Sequence, residues 1–182
     1  MPGSLSFLLT AAVAASSPTV PVEPIGAIVE AARTHQLVAI GEEHGCDQLH
    51  AFLRALVRDR RFADAFNDIV VEFGNAKYQD VIDRFVRGND VPYEVLREVW
   101  QNTTQPTHIW DLPVYEEFFR TVRAVNASRS DRRLRVVLGD SPIDWDQVSD
   151  AASWRAPSVV PLRGTALGGT PFGCLPGGVP LN

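Results

Sequence analysis

Residues 37–45 read LVAIGEEHG: four apolar or small residues run into a glycine, two glutamates and a histidine. The apolar part has the length of a short buried strand, yet a strand kept only for packing has no use for three ionisable side chains at its end. Two further runs share its character, DIVVEFG at 68–74 and LRVVLGD at 134–140. Strands written as continuous apolar runs and separated by helices pair in parallel, with both faces covered. The sequence therefore predicts an α/β fold, a parallel sheet of three strands flanked by helices and built from βαβ crossovers.

The intervening segments carry helical period. PIGAIVEAARTH (24–35) opens on proline and puts Ile25, Ile28, Val29 and Ala32 on one face. DQLHAFLRALVRD (47–59) places Leu49, Phe52, Leu53 and Leu56 at the i, i+3, i+4, i+7 spacing. KYQDVIDRFVRG (77–88), VPYEVLREVWQN (91–102) and LPVYEEFFRTVRAVNAS (112–128) are read as helices in the same way. His35 follows the first helix, where an imidazole partners the helix C-terminus. His50 is read as facing solvent or the end of the first strand.

With 45% hydrophobic and 21% charged residues, the chain has enough apolar content for one domain with a core. A formal charge of -5 and no basic cluster with interleaved aromatics argue against a nucleic-acid partner. The densest basic run, RDRR at 58–61, reads as a solvated helix end. Cys46 and Cys174 show no metal-type spacing, and no disulfide framework is implied, while a single bridge stays open. Residues 1–23 read as a signal peptide and linker, with Ala12-Val13-Ala14 as an A-x-A cleavage site, or as an irregular start. Export to the periplasm and a cytoplasmic location stay equally open. The apolar run there is too short to span a bilayer, so no integral membrane span is expected. Residues 24–150 form the α/β domain. From 151 to 182 glycine and proline recur without period and no acidic residue occurs, so an irregular tail is expected, as at a truncated or frameshifted end.

In open parallel sheets, ligands bind beyond the carboxyl ends of the strands. All three predicted strands end in carboxylates: Glu42 and Glu43 with His44, then Glu72, then Asp140. Alternation along an extended chain puts Glu42 and His44 on one side and Glu43 on the other. Glu72, after three apolar residues, is expected to be partly buried and to need a hydrogen-bonding or cationic neighbour. Two chemistries fit. A divalent ion held by His44, Glu42, Glu72 and Asp140 would polarise a bound water. Without a metal, a Glu–His pair activates water as a general base, and activity through a histidine base falls below about pH 6. Both are hydrolytic, with Glu42, His44 and Glu72 as the catalytic residues and a small molecule or peptide as substrate. No phosphate-cradling loop is present, since Gly41 and Gly45 are not followed by the required glycine and lysine.

The ordered set LVAIGEEHG, DIVVEFGN and LRVVLGDSPIDW resembles the broad superfamily of erythromycin esterase-like, ChaN-like haem-uptake and Tiki proteins, over about residues 24–148. The resemblance implies an α/β core in which the strand-end G-E-x-H motif and the next strand's glutamate line a cleft; here these are Glu42, His44 and Glu72. It implies ester or peptide hydrolysis. The alternative is a non-enzymatic haem or small-ligand uptake domain with His44, His50 or Tyr78 as axial ligand. In the superfamily a later histidine completes the cleft, whereas none follows His108 here. An inactive, truncated remnant is therefore a third expectation, with uncovered sheet edges that favour self-association.

Overall fold

The computed structural model describes residues 20–105, 109–131 and 133–150. The expectations for the leader, for Cys174 and for the Gly/Pro tail lie outside them. The chain runs α1 (Pro24–Ala31), α2 (Asp47–Arg58), α3 (Arg60–Ala65), β1 (Asp68–Asn75), α4 (Gln79–Val86), α5 (Tyr93–Gln101), α6 (Pro113–Ala127) and β2 (Arg135–Asp140). Strands β1 and β2 pair in parallel, from Asp68 opposite Arg135 to Asn75 opposite Asp140. The α/β class and the helix-flanked parallel sheet are those expected. The strand count is not.

Of the three predicted strands, two pair. Residues 37–43 carry neither helix nor strand, and among the described residues no backbone hydrogen bond ties them to β1. Leu37 is 72% exposed and Ile40 40%, so the apolar run that signals a strand has no sheet partner to cover it. Burial along β1 alternates at first and is continuous only from Phe73 to Asn75; Val70 remains 57% exposed.

The helices form where their apolar stripes find cover. The buried face of α2 includes His50, Leu56 and Val57, turned from the expected Leu49–Phe52 stripe toward His50. That face packs on α6, whose Phe118, Phe119 and Val122 are buried. Helix α4 packs against α5, α6 and β2, and α5 against β1. Phe73 joins sheet to helices, with ring centroids 4.8 Å from Tyr115, 5.6 Å from Phe118 and 5.5 Å from Phe119. Full burial of such a side chain contributes about 2 kcal/mol. RDRR marks a helix junction: Asp59 ends α2 and caps α3, accepting from the Arg61 N–H at 2.9 Å. His35 is exposed and its Nδ1 lies 3.1 Å from the Ala31 carbonyl at the end of α1, the helix-end role expected of it.

The ladder slips between Val71 and Asn75, where three residues of β1 face the single Gly139 of β2. Such a bulge bends a strand and re-aims its side chains. Glycine permits the close approach here: a Cβ on Gly74 would lie 2.5 Å from Leu138 Cδ2, and one on Gly139 3.0 Å from the Val71 carbonyl oxygen. Glu72 sits in the bulge and is exposed, which corrects the expectation that it is partly buried.

Candidate functional site

The unpaired segment 37–43 ends in a tight turn at His44–Gly45, directly before α2. Gly45 has φ +72, the left-handed region that favours glycine. This conformation points its N–H at the Tyr115 hydroxyl, 2.8 Å away in the first turn of α6. The turn and both helix starts thereby converge on one side chain, the carboxylate of Glu42.

Glu42 is held between two imidazoles. Its Oε2 accepts from His44 Nδ1 at 2.7 Å, and its Oε1 accepts from His50 Nε2 at 2.7 Å. The Tyr115 hydroxyl is a longer donor to Oε1, at 3.5 Å. The histidines differ in exposure: the His44 side chain is 45% exposed and that of His50 is 0%. Burial alone would push the Glu42 carboxyl up, but hydrogen bonds and charge from His50 and His44 outweigh it, and the carboxyl lies below the usual glutamate range. The Tyr115 hydroxyl is pushed up, first by burial and then by the Glu42 charge, so it stays protonated and can donate.

Aromatic rings fix the two imidazoles. His44 stands edge-on to Trp110, with centroids 4.3 Å apart, and His50 edge-on to Tyr115 at 4.9 Å. Among the described residues His50 Nδ1 is buried without a hydrogen-bond partner. The one proton that satisfies this ring therefore sits on Nε2, directed at Glu42. His44 is arranged the other way. Its Nδ1–H is taken by Glu42, and its Nε2 has no partner among the described residues. A carboxylate that fixes Nδ1–H and frees Nε2 is the arrangement that prepares an imidazole to accept a proton.

The predicted site residues separate accordingly. Glu42 and His44 come together as alternation predicts, and Glu43 is exposed. Glu72 borders the same region, and its charge is felt at the Tyr115 hydroxyl. Asp140 is engaged elsewhere: it accepts from the Thr104 N–H at 2.7 Å and from the Thr104 hydroxyl. Among the described residues no group of three or more His, Cys, Asp or Glu side chains is arranged to hold a metal ion. Of the proposed ligand set His44 and Glu42 meet, with both Glu42 oxygens facing imidazoles, while Asp140 is bound to Thr104. For haem ligation, His50 Nε2 is bound to Glu42, and the Tyr78 hydroxyl lies 2.6 Å from Asn102 Nδ2 and 3.4 Å from Glu98 Oε2. Among the described residues His44 Nε2 is unpartnered on a half-exposed ring, whereas the unpartnered Nδ1 of His50 is buried.

Two members of the site were not assigned to it from the sequence. His50, expected to face solvent or the strand end, is fully buried and faces that end, where its Nε2 meets Glu42, so only the solvent alternative fails. The signal was its place three residues before Leu53 and seven before Val57, on the apolar stripe of α2. Tyr115 had no comparable signal, since an aromatic residue on an amphipathic helix is ordinarily core. Among the described residues no helix is long and apolar enough to cross a membrane. No protein-family model, no curated protein and no solved structure matches the chain.

Proposed function

We propose that Glu42 and His44 form the water-activating pair of a hydrolase acting on esters or peptides. The observation that carries this reading is the Glu42 carboxylate fixed between His44 and His50, with the free Nε2 belonging to the half-exposed ring. Glu42 holds His44 in one tautomer; His50 and Tyr115 hold Glu42. In the reaction His44 Nε2 takes a proton from water as the water oxygen bonds to the acyl carbon. The carbon–oxygen or carbon–nitrogen bond then breaks, and the imidazolium returns the proton to the leaving group. The ionised Glu42 stabilises that imidazolium, which is its contribution to the transition state.

Glu42→Gln tests the pair, because it keeps the size of the side chain and removes its charge. Turnover of neutral p-nitrophenyl esters or of quenched peptides should fall about 10²-fold, within the range for impaired general-base catalysis. Unchanged turnover in the variant would reject the pair. The same substitution has a stability signature. A carboxyl depressed in the folded state contributes stability that is present above its unfolded pKa and lost as pH falls through the folded value. Urea midpoints of the parent should therefore drop on acidification below the usual glutamate range, and part of that drop should be missing in Glu42→Gln.

A further inference from the structure

Beside the pair lies a groove of about 490 Å³, in the size range of small-ligand sites. It follows from the unpaired segment: residues 36–42 form one wall and residues 68–73 of β1 another. Its apolar lining includes Leu53, Leu56, Val57, Phe62, Phe66 and Phe118. Leu37, Ile40 and Val70, all on its walls, are exposed apolar side chains that an occupant would cover. The first wall ends at Glu42, one hydrogen bond from His44.

Charge narrows the occupant. Among the described residues the charged members of the lining are Glu42, Asp68 and Glu72, with no Lys, Arg or His. Asp68 and Glu72 have no ion-pair partner among the described residues. An anionic head would meet carboxylates without a cation to offset them. This disfavours a free fatty acid, and equally the two propionates of haem.

We infer that this groove binds the apolar acyl chain of a neutral ester and places the ester group where the wall ends at Glu42. The inference rests on the reading of Glu42 and His44 as the water-activating pair and adds its substrate class. Water adds its oxygen to the acyl carbon, the ester carbon–oxygen bond breaks, and the alcohol leaves with the proton that His44 carried. The second product is the carboxylic acid, which releases the other proton of the water to solvent and leaves as a carboxylate. Created beside Glu42 and Glu72, it is repelled from the groove that held its neutral precursor, so the same charges that select the ester expel the acid.

Two measurements separate this inference from the reading it rests on. The first is binding of the neutral fluorescent probe N-phenyl-1-naphthylamine to the full chain, with displacement by methyl octanoate or sodium octanoate. The ester should displace the probe at least ten-fold more effectively than the acid. Ala39→Trp and Val70→Trp, each on an exposed wall position outside the core, should weaken probe binding at least ten-fold. Equal displacement by ester and acid, or probe binding unchanged in both variants, would overturn the groove. The second is kcat/KM for p-nitrophenyl esters from acetyl to hexanoyl. It should rise about three-fold per methylene, a slope that both tryptophan variants flatten. A flat series with hydrolysis intact overturns the acyl groove and leaves the catalytic pair standing. Selective probe displacement without any ester or peptide hydrolysis overturns the pair, and with it the substrate role.

Discussion

His44→Ala is expected to lower the turnover of neutral esters by about 10²–10⁴-fold, the range supplied by a positioned general base. The chain should stay folded. The His44 side chain is 45% exposed, and its described contacts are one hydrogen bond to Glu42 and one ring contact with Trp110. Glu42 keeps its bond to His50 in the variant, so the buried imidazole does not lose its partner. Loss of activity with an unaltered urea midpoint would mark a chemical role. Imidazole added to the assay should recover part of the rate, because the space vacated beside Glu42 admits a free ring. Turnover equal to that of the parent would remove His44 from the reaction.

The largest stability effect is expected at Asn126, far from this chemistry. Its side chain is buried near the end of α6 and makes three bonds: Nδ2 donates to the carbonyls of Val86 at 3.0 Å and Leu134 at 2.8 Å, and Oδ1 accepts from the Leu134 N–H at 2.8 Å. One amide thus ties the end of α4, the end of α6 and the entry to β2. Truncation to alanine strands two buried carbonyls and one buried N–H. Each unsatisfied buried group costs about 1–3 kcal/mol, and partial relaxation brings the expected total to about 3 kcal/mol. Urea denaturation of Asn126→Ala checks this value; a loss below about 1 kcal/mol would show that the tie is not needed. His44→Ala and Asn126→Ala therefore separate cleanly, one reading activity and the other stability.

The sequence carries some of this plainly. DIVVEFGN and RVVLGD are short runs rich in β-branched residues, bounded by glycine or acidic residues, and both are strands. LVAIG has the same local character and is unpaired, because apolar composition states a preference for a sheet without supplying the register that joins it. The pairing of Glu42 with His44 was legible from i, i+2 alternation, which needs no partner strand. Glu72 was misread because the three apolar residues before it suggested a buried position, whereas burial along β1 alternates through it and leaves it exposed on the side of Val70. Asp140 ends its strand as expected, but its carboxylate is taken by Thr104, 36 residues away in the chain, a contact that no local pattern records. His50 and Tyr115 reach Glu42 from helices 8 and 73 residues further along the chain. The approach of α2 to α6 that brings them there is a packing outcome, which no local pattern records.

The tautomeric states of the two imidazoles test the central claim most directly. Long-range ¹H–¹⁵N correlation spectra of the intact chain near pH 8 report which ring nitrogen bears the proton. The geometry predicts opposite assignments: protonated Nδ1 and bare Nε2 for His44, protonated Nε2 and bare Nδ1 for His50. Glu42→Ala should erase the His44 preference. A His44 ring protonated on Nε2, or one whose signals do not respond to the loss of Glu42, would contradict the account.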